Sequence, residues 1–193
     1  MISFIKRNKI ETLLVFLIFT FIAYFSFVSI NRFLTFRSNY FDLGIMDQVV
    51  YNTSRGRILE MTNQDLRVNA SRFAIHFDPL LAFFAPIYLL YAHPNVLLIA
   101  QAVVIGLGAF AVYLIGKKVI KNKLVSLLFA VSFLFYHPNQ RAVIFDFHAV
   151  VFATTFLLYA IYFSLQKRYL ITLLFILLSL LTKEHVGLIT FFF

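Results

Sequence analysis

The sequence predicts an all-α fold: a polytopic transmembrane helix bundle with a large extracytoplasmic first loop that contains a membrane-surface helix. Three observations predict it. Of 193 residues 62% are hydrophobic, with 26 Phe, and a soluble domain of this length has too little interior to hide that much apolar surface. The apolar residues fall in long runs without charge, and the lysines gather between the runs, as they do at membrane edges. One long polar stretch, residues 31–78, interrupts the pattern.

Residues 12–30 form a run of 19 without a charge, residues 94–116 one of 23 and residues 149–166 one of 18. At 1.5 Å per residue these match a hydrocarbon core of roughly 30 Å. The first is too long for a signal-peptide core and has no small-residue cleavage site behind it, so it reads as an uncleaved anchor. Residues 79–92, 124–136 and 169–182 form shorter runs of 14, 13 and 14.

Lysine position decides among the short runs. Lys6, Arg7 and Lys9, then Lys117, Lys118, Lys121 and Lys123, then Lys167 and Arg168 make up nine of the seventeen basic residues. Putting all three clusters in the cytoplasm gives a cytoplasmic N-terminus and spans at 12–30, 94–116, 124–136, 149–166 and 169–182. Residues 79–92 then become a short helix at the outer interface, kinked at Pro86. Seven of the eight acids (Asp42, Asp47, Glu60, Asp65, Asp78, Asp146 and Glu184) and all five His fall on the outer side. The chain reads as one transmembrane domain over 1–193. Because Phe191-Phe192-Phe193 still lies in an apolar run, it reads as the N-terminal part of a longer protein.

A net charge of +9 does not point to nucleic acid, because no basic stripe interleaves with stacking aromatics. The lipid bilayer is the expected partner. With no Cys there is neither a disulfide nor a thiolate metal site. No glycine-rich phosphate loop, nucleophile elbow or H-E-x-x-H is present.

Within the outer loop, Asp42 can cap a helix running to about Ser54, with Ile45, Met46, Val49, Val50 and Thr53 on one stripe suited to the membrane surface. Gly56 stops it. His93-Pro94-Asn95 and His137-Pro138-Asn139 read as helix starts. Four polar groups remain: Phe41-Asp42-Leu43-Gly44, His76-Phe77-Asp78-Pro79, Asp146-Phe147-His148 and Lys183-Glu184-His185. Charges beside apolar segments are costly unless they face water or one another, which makes each group a functional candidate. Two roles are open to Asp42, helix cap and proton acceptor. Two are open to Lys183, snorkelling and holding a lipid phosphate. His76, Asp78, Asp146 and His148 are ligand types for a divalent cation, but H-x-D and D-x-H spacings specify none, and interfacial hydrogen bonding is their ordinary use.

These motifs resemble the prokaryotic membrane proteins grouped as domain of unknown function 2079. The resemblance rests on Asp42 opening the outer loop, on His76-Phe77-Asp78-Pro79 before an apolar helix, on Asp146-Phe147-His148 and on Thr182-Lys183-Glu184-His185-Val186-Gly187-Leu188. That family is in turn similar to the GT-C superfamily of polytopic glycosyltransferases. The resemblance implies a GT-C-like N-terminal part that takes sugar from a polyprenyl-phosphate donor at the outer face. It implies Asp42 as the loop acid, base or metal ligand, and Lys183 as the phosphate-binding cation. Glu184-His185 departs from the Gly-Pro that several relatives carry there.

The expected function is sugar transfer, with Asp42 and Asp78 as catalytic candidates. Lys183, His76, Asp146, His148, Glu184 and His185 are the substrate-binding candidates. The alternative is a transporter or channel-like protein. It would gain weight if residues 169–193 were one helix with Lys183, Glu184 and His185 at its middle.

Overall fold

A computed structural model describes residues 8–63 and 68–191. Asp65, Lys6 and Arg7 lie outside the described residues. Among the described residues, α1 (Lys9–Leu34) leads to a π-helical turn (Tyr40–Gly44) and α2 (Ile45–Ser54). An antiparallel hairpin of β1 (Glu60–Asn63) and β2 (Val68–Ser71) follows, pairing Glu60 with Ser71. Short 3-10 turns at Arg72–Ala74 and Pro79–Phe84 lead into α3 (Ala85–Leu90). The remaining helices are α4 (Asn95–Val119), α5 (Lys123–Phe135), α6 (His137–Ile144), α7 (Val151–Leu165), α8 (Tyr169–Leu180) and α9 (Val186–Thr190).

Local chemistry sets the boundaries. Proline, which lacks the N–H that a first turn leaves unpaired anyway, opens the 3-10 turn at Pro79, α3 at Pro86 and α6 at Pro138. Pro94 precedes α4, whose first N–H, from Asn95, donates to His93 Nδ1 at 3.2 Å. The Asn122 side chain accepts from the N–H groups of Leu124 and Val125 and starts α5. Gly56 takes φ +83° just past α2.

Five helices run in alternating sense. α1 opposes α4: Glu11 near the start of α1 accepts from Tyr113 OH at 2.9 Å near the end of α4, and pairs with Lys123 (2.8 Å) and Lys117 (3.7 Å). α5 doubles back on α4, with Ser126 against Gly116 and Phe133 against Gly108. α7 runs with α4; Thr155 Oγ1 donates to Val104 O at 2.8 Å and Tyr159 OH to Leu107 O at 3.2 Å. α8 returns along α7, its Phe175 ring stacked on Tyr159 and Phe163. These directions gather Lys9, Lys117, Lys118, Lys121, Lys123, Lys167 and Arg168 at one end of the bundle. The outer-loop elements and the remaining described acids and histidines lie at the other.

α1 and α4 are long and apolar enough to cross a membrane, by length and composition. α5, α7 and α8, with 13, 15 and 12 residues, reach only about 18–23 Å at 1.5 Å per residue. The core near the lysine end joins Leu14, Ile18 and Phe21 of α1 to Ile105, Ala109 and Tyr113 of α4. Outward-facing Phe16, Phe19 and Phe27 of α1 stay more than half exposed.

The residue 31–78 segment folds against the bundle. The stripe of Ile45, Met46, Val49 and Val50 is buried against Leu59, Met61, Leu81 and Tyr88. The hairpin and the residue 79–90 helices cover it, so protein takes up the face expected to lie on lipid. Gln48 clasps β1, with Oε1 accepting from Thr62 N–H at 3.1 Å and Nε2 donating to Thr62 Oγ1 at 2.8 Å. The helix start also differs from expectation: α2 begins at Ile45 behind Gly44, and no side chain caps it. Asp42 sits inside the preceding π-turn, and its carboxylate meets His148 instead of the start of α2. Residues 169–193 are not one helix. α8 ends at Leu180, and a break through residues 181–185 precedes α9. Leu80 N–H donates to Leu181 O at 2.9 Å across this break.

Candidate functional site

A cleft of about 270 Å³ opens at the end of the bundle away from the lysines, bordered by Asp42, Arg72, His76, His148 and Lys183 among others. Four separate segments supply these side chains. Asp42 comes from the π-turn and His148 from the link between α6 and α7. Arg72 and His76 follow the hairpin, and Lys183 lies in the break after α8.

Asp42 and His148 face each other, with His148 Nε2 3.1 Å from Asp42 Oδ1 and each side chain about a quarter exposed (26%). The other ring nitrogen, Nδ1, is 3.0 Å from the main-chain oxygen of Asp146. The ring stacks on Phe145, 5.5 Å between centroids. Asp146 itself is buried, and its Oδ2 accepts from Asn39 N–H at 2.7 Å just before the π-turn. One residue therefore fastens both the imidazole and the turn that carries Asp42.

The second wall is an ion pair. Asp78 is buried and held by Arg72 through Nε (3.1 Å to each carboxylate oxygen) and Nη2 (2.8 Å). The guanidinium borders the cleft; the Asp78 carboxylate is behind it. Asp78 thus anchors a cation, and its oxygens are occupied.

The third wall joins loop to break. Glu184 accepts from Phe77 N–H at 2.9 Å and lies 3.0 Å from His76 Nδ1. The Phe77 N–H, helped by His76, holds the Glu184 carboxyl down at about 2, because hydrogen bonds to the charged form favour it. Lys183, half-buried on the rim, makes no ion pair or side-chain hydrogen bond among the described residues. His185 is exposed and lies outside the cleft.

Of the eight residues singled out by sequence, Asp42, His76, His148 and Lys183 border the cleft. Asp78, Asp146 and Glu184 support them from behind. Sequence reasoning missed Arg72, one of six arginines in the loop with nothing local to distinguish it. It also missed Gln101, fully buried in α4, whose Oε1 accepts from His148 N–H at 2.9 Å. Asp47 lies beyond the same π-turn, away from the cleft. It accepts from Tyr88 OH at 2.7 Å, and burial pushes its carboxyl up. Among the described residues no three His, Asp or Glu side chains gather as a metal-holding group.

The family model for a predicted membrane protein (DUF2079) matches residues 32–193. The chain belongs to this DUF2079 family. It is a membrane protein, and its apolar, outward-facing helices contact the bilayer. The matched region contains all the residues of the cleft. No curated protein and no solved structure matches the chain.

Proposed function

We propose that this DUF2079 protein is a multi-pass membrane glycosyltransferase of the GT-C type. In this reading its N-terminus is cytoplasmic, and it moves a sugar from a polyprenyl-phosphate donor to an acceptor at the extracytoplasmic face. One observation carries the reading: Asp42, His148 and Lys183 border a single cleft at the end of the bundle opposite the lysine clusters. Under the positive-inside rule those clusters are cytoplasmic, so the cleft faces outward. α1, α4, α5, α7 and α8 are then the spans, the shorter ones accommodated by local thinning of the bilayer. The residue 79–90 helices lie at the outer interface.

The chemistry follows from the charges. An acceptor hydroxyl gives its proton to Asp42 as its oxygen bonds to the anomeric carbon. The bond from that carbon to the phosphate oxygen breaks, and its electron pair stays on the phosphate. Lys183, a cation with no ion-pair partner among the described residues, meets that added charge, with Arg72 behind it. Asp42 and His148 are the side chains that would hold a divalent cation. They supply two ligands of the several a hard ion takes, so no step here runs through a metal.

The test is transfer of labelled sugar from a polyprenyl phosphate in proteoliposomes holding the full chain. Asp42→Asn keeps the shape and removes the base, so transfer should stop; transfer at the wild-type rate would end the reading. The transporter alternative would have gained from one unbroken helix carrying Lys183 at its middle, and the break between α8 and α9 removes that support. Solute flux in the same vesicles without sugar turnover would support that reading instead.

A further inference from the structure

Arg32 stands at the end of a face of α1 that is mainly apolar. Leu17, Phe21 and Phe25 follow one another on it at helical spacing. With Leu134 of α5 and Ile144 of α6 they line a groove of about 360 Å³. One turn further on, Ser29 Oγ donates to Val143 O at 2.8 Å and joins α1 to α6. Beyond that bond, Arg32, Arg141 and Phe145 border a second cavity of about 310 Å³. Ile144 borders both cavities, so a basic pocket sits at the end of an apolar groove.

The two arginines lack an acid. Neither enters an ion pair among the described residues. Arg141 Nε donates to the ring of His137 at 3.2 Å, and Arg32 Nη2 donates to Arg37 O at 3.0 Å. Arg32 Nε is shut off from solvent and has no acceptor among the described residues. An arginine that merely snorkelled would keep its N–H groups in water. A sealed, unpaired guanidinium N–H is costly until an anion supplies the acceptor.

Depth names the occupant. Arg32 lies two residues past the uncharged run of 12–30, at the membrane edge. The groove, from Phe25 back to Leu17, lies about 10–22 Å from Arg32 along α1 at 1.5 Å per residue. One leaflet with its headgroups is about 20–22 Å deep, half of a whole bilayer. We infer that pocket and groove together hold an anionic glycerophospholipid from the leaflet at the cleft end. Its phosphate meets Arg32 and Arg141, and an acyl chain lies between α1, α5 and α6. Two cations without an acid favour a net anionic headgroup over a zwitterionic one. This lipid is not the proposed sugar donor: the basic pocket and the cleft share no bordering residue. Phe145, which stacks on His148, stands between them. The inference does not rest on the transferase reading.

The experiment is native mass spectrometry of the full chain titrated with phosphatidylglycerol or with phosphatidylcholine of the same acyl chains. The wild type should retain one phosphatidylglycerol, at least fivefold more tightly than phosphatidylcholine. Arg141→Gln, at an exposed position that folding does not need, should weaken phosphatidylglycerol about fivefold, and Arg32→Gln by a similar factor. Thr20→Trp, which fills the groove from an exposed position, should weaken both lipids. Arg55→Gln removes an exposed arginine outside the pocket and should change nothing. The inference is overturned if the two lipids bind alike, or if Arg141→Gln binds phosphatidylglycerol as the wild type does. It is overturned equally if Arg55→Gln weakens binding as much as Arg141→Gln, since the attraction would then be general. Displacement by glycerophosphoglycerol, which has no chains, would make this a free-phosphate site and overturn it. Displacement by an equal concentration of polyprenyl phosphate would give the site to the donor and overturn it too.

Discussion

Arg72 grips Asp78 through Nε and Nη2 at 2.8–3.1 Å, with both side chains sealed from solvent. The two residues stand six apart just after β2, and Arg72 forms one wall of the cleft. Removing either member leaves a buried charge without its partner. Asp78→Ala or Arg72→Met alone should each cost about 3–5 kcal/mol. Replacing both together with apolar side chains should recover most of that loss. Thermal unfolding in detergent checks it; equal losses for the double and single replacements would refute the coupling.

Lys183 is expected to matter for turnover and little for stability, since it pairs with no acid among the described residues. Lys183→Ala should lower sugar transfer about 100-fold, the usual effect of removing one charge-stabilising group. Its melting temperature should stay close to wild type. Lys183→Arg keeps the charge and should recover part of the rate.

The Glu184 clasp predicts an acid-side effect. Its carboxyl sits at about 2 against an ordinary 4.5, so the folded state favours the charged form. Its contribution is complete above pH 4.5 and fades as pH falls from there toward 2. The side chain is nearly half exposed (47%), which limits the effect to about 1 kcal/mol or less. Glu184→Gln should flatten the pH dependence of unfolding in that window and leave it unchanged above pH 6.

Packing in the bundle gives a further prediction. A Cβ added at Gly108 would meet Phe133 Cζ and Thr155 Oγ1 at 2.8 Å each, and Thr155 is held by its bond to Val104 O. Gly108→Ala should therefore destabilise by about 1–3 kcal/mol, as overpacking does. An unchanged melting temperature would show that α5 or α7 yields.

Much of the helix layout was legible because proline, charge and apolar run length act locally. The runs 94–116, 124–136, 149–166 and 169–182 became helices Asn95–Val119, Lys123–Phe135, Val151–Leu165 and Tyr169–Leu180. Asp42 was legible as a candidate acid, but its direction was not. The extra residue of a π-turn leaves no mark in composition, and contact with His148, 106 residues away, decides where the carboxylate points. Arg72 and Gln101 were invisible for a related reason. One looks like five other loop arginines, and the other looks like a tolerated polar residue in an apolar run. Their partners are chosen by the hairpin and by the crossing of α4 with the α6–α7 link. Asp78 and Asp146 were legible as acids beside apolar segments, while their places behind the cleft depend on pairings that no short motif encodes.

If the proposed orientation holds, the cleft opens on the side of the membrane away from the lysine clusters, and single cysteines in this Cys-free chain test that orientation. Cysteine would replace exposed Ile58 and Pro138 at the cleft end, and exposed Lys118 and Gln166 at the lysine end. Intact cells would then be treated with a membrane-impermeant maleimide. Positions 58 and 138 should label, and 118 and 166 should not until the membrane is opened. Labelling of 58 and 118 from the same side would contradict that orientation, because the cleft and the lysine fringe would then share a face.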